Sequence, residues 1–95
     1  MTAIHITAGH IRHGEQSSCT ECPIALAIHD TFPGLYDLAV SGEQIWIQPE
    51  YDGPSYEIPA PDAVHEFVWD YDDGEPVHPF AFDLDYPPAV QRRAA

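Results

Sequence analysis

The stretch "HIRHGEQSSCTECPIALAI" (residues 10–28) decides how this chain folds. Residues 24–28 are apolar on every side, so a helix formed there has to pack against more than one neighbour. Pro23 suits the first helical position, because its missing N–H would be unpaired there in any case. The sequence therefore predicts a central helix over residues 23–32 with Cys22 near its N-cap.

The residues ahead of this helix predict one strand and one turn. "AIHIT" (residues 3–7) alternates apolar and polar side chains, which is typical of a strand with one buried face. Thr7 can cap the short turn "AGHIRH" (residues 8–13). We expect Gly14 to close that turn in the left-handed conformation that glycine tolerates.

The residues after the helix predict an antiparallel hairpin and a third strand. "LYDLAV" (residues 35–40) and "IWIQ" (residues 45–48) flank the polar, glycine-containing "SGEQ" (residues 41–44). "SYEI" (residues 55–58) is expected to extend the same sheet before a proline ends it.

The segment "APDAVHEFVWDYDDG" (residues 60–74) predicts a second long helix. Pro61 is placed for the first helical position and Gly74 for the end. Four apolar residues recur with the helical period and form one face: Val64, Phe67, Val68 and Tyr71.

The last predicted strand, "FAFDLDY" (residues 80–86), alternates aromatic or apolar side chains with small or acidic ones. The order is then β-α-β-β-β-α-β, which indicates an α+β fold with a mostly antiparallel sheet and two helices packed on one face. We expect a single domain over residues 1–88 and a frayed tail over residues 89–95.

Charge is the strongest feature of the composition. Sixteen Asp and Glu residues face three Lys and Arg residues, for a formal net charge of -13. Arg12 is the only Lys or Arg ahead of Arg92 and Arg93. Such a chain should repel nucleic acid and anionic membranes and attract basic surfaces.

The acidic residues have a definite position on the second long helix. Four carboxylates fall opposite its apolar face, and two more project from the last strand, where we expect them to extend the row. These candidate partner-binding residues are Asp62, Glu66, Asp70, Asp73, Asp83 and Asp85. The simpler alternative is that the acidity only keeps a small protein soluble.

Two histidines and both cysteines of the chain lie within the opening stretch. His10, His13, Cys19 and Cys22 could together supply four zinc ligands, since C-x2-C lets two thiolates reach one ion. The spacing lacks the long intervening segment of finger modules, and plain structural thiols are the favoured interpretation. A redox pair or a disulfide is a further alternative.

No pattern in the chain indicates catalysis. There is no G-x-S-x-G, no phosphate-binding glycine loop and no H-E-x-x-H. We therefore expect no enzymatic activity and no cofactor. No window resembles a membrane span or an export signal, and two cysteines favour a reducing cytoplasm.

Both ends of the chain resemble a known group of proteins. "HIRHG" (residues 10–14), "CTECPIALAI" (residues 19–28) and "DDGEPVHPFAFDL" (residues 72–84) are similar to the H-I-x2-G…C-x2-C-P-[IV]-A-x-A pattern and the G-x-P-[VI]-x-P-F-x-F ending of small acidic proteins of actinobacteriophages and their hosts. The resemblance implies a phage or phage-like origin and no catalytic residues. His13 stands at a variable position of that pattern, which disfavours the four-ligand zinc site.

Together these features predict a small acidic phage-type protein that binds a basic, DNA-handling host protein as a DNA mimic. One alternative is a phage structural or assembly protein, with Trp46, Tyr51 and Tyr56 supplying additional apolar surface. The other is a small zinc-binding module.

Overall fold

The computed structural model describes residues 2–86. The strands are β1 (Thr2–Ile6), β2 (Asp37–Val40), β3 (Gln44–Gln48), β4 (Tyr56–Pro59) and β5 (Phe80–Leu84). The helices are α1 (Ala8–His13), α2 (Pro23–Thr31) and α3 (Asp62–Asp72). The predicted α+β fold and order of elements are confirmed. The tail predicted to fray, residues 89–95, lies outside the described residues.

Helix α2 is central, as its all-round apolar character requires. Ile24 and Ile28 are completely buried, and α2 contacts α1, β1 and β2. Pro23 occupies its first turn and Cys22 is its N-cap. Full burial of an Ile side chain contributes about 1.5–3 kcal/mol, so these two residues stabilise the fold substantially.

The strands form two antiparallel sheets, where the sequence led us to expect one. β1 pairs with β5, and β2, β3 and β4 form the second sheet in that order. Each sheet sends one strand against α2, because β1 and β2 both contact it. Helix α2 therefore joins the two sheets in one hydrophobic core.

Period-two alternation places the apolar side chains of both sheets in one core. In the predicted hairpin, Leu38 lies opposite Ile47, and both are buried. In the other sheet, Ile4 lies opposite Phe82, and both are buried as well. The alternating pattern that predicted these strands is thus the pattern of burial.

Helix α3 uses the apolar face that the sequence predicts. Val64 and Phe67 are buried, whereas Val68 and Tyr71 are half-buried and pack against the core. Pro61 stands one position earlier than expected, as the N-cap, and Gly74 lies beyond the end of the helix as predicted, with a positive φ of 81°. Within residues 2–86, no helix is long and apolar enough to cross a membrane.

Residues 8–13, expected as a turn, form the short helix α1. Thr7 caps it in the predicted manner, because its hydroxyl accepts from the His10 N–H at 3.2 Å. The Thr7 N–H in turn donates to His10 Nδ1 at 3.0 Å, which completes a reciprocal capping box. This second bond explains why six residues are enough for a helix here.

The left-handed conformation predicted for Gly14 is wrong. Its φ of -73° and ψ of 165° are extended values that any residue adopts. Glycine is needed for space, because a Cβ at this position would lie 2.7 Å from Cδ of Pro23 and 2.8 Å from its backbone nitrogen. Gly14 thus allows the C-terminal end of α1 to lie directly against the start of α2.

Replacing Gly14 with Ala should therefore destabilise the protein by about 1–3 kcal/mol, the usual cost of overpacking. The measurement is urea unfolding followed by circular dichroism. Gly34→Ala is the matched control, because a Cβ there meets nothing within 4 Å. Equal stability of the two variants would show that the Gly14–Pro23 contact is not constrained.

Candidate functional site

The acidic side chains all lie on the surface. Each of the sixteen carboxylates is exposed, and none is buried. Within residues 2–86, the one contact between a carboxylate and a basic side chain joins Asp30 to His10. The negative charges of the remaining carboxylates are therefore not neutralised inside the described part of the fold.

Four of these carboxylates form a row along α3, which we call the α3 acidic face. Its residues are Asp62, Glu66, Asp70 and Asp73, the last being the C-cap of the helix. All four are exposed, because Val64 and Phe67 on the opposite side hold the helix against the core. Their carboxylates make no hydrogen bond or ion pair to other residues in the range 2–86.

The C-terminal half of α3 is fixed to α1 and to the connection between α1 and α2. The Tyr71 hydroxyl donates to the Ile11 carbonyl at 3.1 Å, and the Gln16 side chain donates to the Tyr71 carbonyl at 2.8 Å. The Ser17 N–H donates to Asp72 Oδ1 at 2.8 Å. These bonds give the α3 acidic face a defined orientation.

Asp83 does not continue this row directly. Asp83 and Asp85 are both exposed; Asp83 lies on the face of β5 opposite Phe80 and Leu84, whereas Asp85 follows the end of the strand. Phe67 of α3 contacts Phe80 with 5.1 Å between ring centroids. The helix therefore packs on the inner side of β5, whereas Asp83 projects from its outer side.

His10 has a structural role in the described fold. Its Nδ1 accepts the Thr7 N–H, so the neutral ring carries its proton on Nε2 and donates it to Asp30 Oδ2 at 2.6 Å. The His10 side chain is largely buried, at 13% exposure, whereas Asp30 is 74% exposed. This arrangement links α1 to α2 and engages both ring nitrogens.

The four candidate zinc ligands are not brought together. Within the described residues, no three His, Cys, Asp or Glu side chains are placed to hold a metal ion. His10 bonds to Asp30, His13 and Cys19 are exposed, and Cys22 is buried as the N-cap of α2. The C-x2-C spacing is therefore present without the converging geometry that zinc requires.

Both cysteines are free thiols. Burial raises the pKa of Cys22 above its ordinary value of 9.0, despite backbone hydrogen bonds from Ala25 and Ile24 that lower it. The folded state favours the neutral Cys22 thiol over the thiolate. The stability that the buried thiol contributes is therefore present below pH 9.0 and is lost as the pH rises through the pKa of Cys22 in the folded state.

The aromatic residues expected to form an additional apolar surface lie apart. Trp46 is half-buried within β3 and is not in a loop. Tyr56 pairs with Ile47 across β3 and β4, whereas Trp46 pairs with Glu57, so the two rings lie on opposite faces of the sheet. Tyr51 is 75% exposed and contacts Tyr36 edge-on at 5.3 Å.

Trp69 is a surface feature that the sequence did not indicate. It is 59% exposed and lies beside the α3 acidic face. The only available signal was that position 69 falls outside the apolar spacing of the helix.

A comparison of the chain with protein-family models, curated proteins and solved structures finds no match.

The thiols provide a direct test of this geometry. Cys19 should react with a disulfide reagent in the native protein at neutral pH, whereas Cys22 should react only on unfolding, because burial protects it. Cys19→Ser should abolish the fast phase. One zinc per chain by elemental analysis, lost together with the fold on chelation, would contradict the structural assignment of these residues.

Proposed function

We propose that this chain is an acidic binding protein whose α3 face occupies the DNA-binding surface of a basic protein. The supporting observation is that the four carboxylates of this face are exposed, oriented by one packed helix and without cationic partners in the described residues. A basic surface would supply the missing counter-charges. The proposal assigns the chain a binding role and no catalytic step.

The spacing of the row is compatible with mimicry of a phosphate backbone. Successive acids are three or four residues apart, which at 1.5 Å per residue is about 4.5–6 Å along the helix axis. The rise of DNA is about 3.4 Å per phosphate along each strand. One carboxylate thus corresponds to between one and two phosphate steps.

The position of the acids at the end of α3 supports a role in binding rather than in stability. Asp70 and Asp73 lie in or next to the last turn, which contains no basic residue. The C-terminal end of a helix carries partial negative charge, so carboxylates are unfavourable there. Mere solubility would be served equally well by acids at the opposite end.

The resemblance of residues 10–14, 19–28 and 72–84 to actinobacteriophage proteins supports a site of action in the cytoplasm of a bacterial host. An inhibitor of a host nuclease, glycosylase, repressor or polymerase would have the required chemistry. The alternative of an assembly protein would involve the exposed Tyr36–Tyr51 pair and would appear as a defined oligomer.

The test is a competition experiment with a DNA-binding partner captured from an actinobacterial lysate. The quadruple variant D62N/E66Q/D70N/D73N keeps side-chain size and polarity and leaves the apolar face of α3 unchanged. It should remain folded, and its affinity for the partner should fall by at least an order of magnitude, since close charge pairs across interfaces are worth about 1.5 kcal/mol or more. DNA should displace the parent protein from the partner.

A second quadruple variant, D37N/E50Q/D52N/E57Q, is the matched control. It removes the same number of negative charges at exposed positions outside the six candidate partner-binding residues. Its affinity should fall much less, through the general loss of charge alone. Equal loss in both variants, or simultaneous binding of the protein and DNA by the partner, would contradict the proposal.

A further inference from the structure

The most distinctive surface outside the row itself is a cleft between α3 and the turn that joins β2 to β3. Its volume is about 430 Å³, and Trp69 forms one wall. Glu43, Asp72 and Asp73 contribute carboxylates to its lining. An exposed indole thus stands beside three acids in one concave site.

Trp69 is held in place by contacts with Gly42. A Cβ at position 42 would lie 3.0 Å from Trp69 Nε1 and 3.2 Å from Cδ1, so the indole packs directly on the glycine backbone. The His65 Nδ1–H donates to the Gly42 carbonyl at 2.9 Å, and its ring contacts Trp69 at 5.6 Å. The indole is therefore positioned before any ligand arrives.

The cleft lacks a cation of its own. Arg12, the one Lys or Arg among residues 2–86, does not line it. The Glu43 and Asp73 carboxylates have no bonding partner in that range, whereas Asp72 uses Oδ1 to accept the Ser17 N–H. Carboxylate oxygens and an aromatic face remain available to an incoming group.

We propose that this cleft binds the guanidinium group of an arginine side chain on the partner protein. A guanidinium can stack on the indole face while its N–H groups donate to the surrounding carboxylates. It is also more weakly hydrated than a lysine ammonium, so it loses less on entering the cleft. The biological role of this contact rests on the function proposed above, and it identifies an anchor residue for that interface.

The binding of arginine can be measured without the partner. The probe is the peptide acetyl-Gly-Arg-Gly-amide, titrated into 15N-labelled protein while the two indole N–H resonances are followed by NMR. Trp69→Phe assigns the Trp69 resonance, and Trp46 is the internal reference. The arginine peptide should shift the Trp69 resonance saturably and leave that of Trp46 in place.

A peptide with citrulline in place of arginine is the matched ligand control, because it keeps the shape and removes the charge. The citrulline peptide should bind about two- to fivefold more weakly than the arginine peptide, which is the range expected for an exposed cation–π contact. Glu43→Gln with Asp73→Asn should weaken the arginine peptide similarly. Equal shifts with both peptides, or no shift of Trp69 at all, would overturn the inference.

Failure of this inference is distinguishable from failure of the proposed function. If the arginine peptide does not bind, but the α3 quadruple variant loses the partner, the function stands without the cleft. If the peptide binds Trp69, but that variant retains the partner, the cleft is a real cation site and the α3 acidic face is not the interface.

Discussion

The structure depends on the burial of α2 on several sides at once. Ile24 and Ile28 are completely buried, and the helix contacts a strand from each of two sheets. This requirement accounts for the close approach of Gly14 to Pro23, because α1 has to cover another side of the same helix. It also explains why Cys22 is buried at the N-cap and not placed at the surface as a ligand or reactive thiol.

Since α2 occupies the centre, α3 is left at the periphery with only one face in the core. Val64 and Phe67 attach it, and bonds from Gln16 and Ser17 fix its C-terminal end. The outer face of α3 can then carry carboxylates without burying a charge. The cost is electrostatic instead, because like charges repel one another and those near the helix end oppose the dipole.

Much of this fold could be predicted from local sequence patterns. Alternation identified the strands, the helical spacing of the apolar residues identified the inner face of α3, and Pro23 marked the start of α2. The division into two sheets could not be predicted, because strand pairing depends on contacts between distant segments. The reason for Gly14 was missed likewise, since it is a contact with a residue nine positions away.

The candidate site was predictable only in part. Helical periodicity was enough to place the four acids of α3 on the exposed side. The four candidate zinc ligands are not brought together in the described residues, because His10 bonds to Asp30 and Cys22 is buried as the N-cap of α2, neither of which the C-x2-C spacing indicates. The environment of Trp69 depends on Gly42, which lies 27 positions earlier in a turn. No local pattern contains that information.

The central claim is that the carboxylates of the α3 acidic face are exposed and have no partners within residues 2–86. The free energy of unfolding in urea, measured at sodium chloride concentrations from about 10 mM to 200 mM, tests this claim most directly. Screening acts over about 30 Å at the lowest salt and about 8–10 Å at moderate salt, so added salt should relieve the repulsion. The account predicts that stability rises across this range. A decrease would mean that attractive ion pairs dominate the folded state, and it would contradict the account.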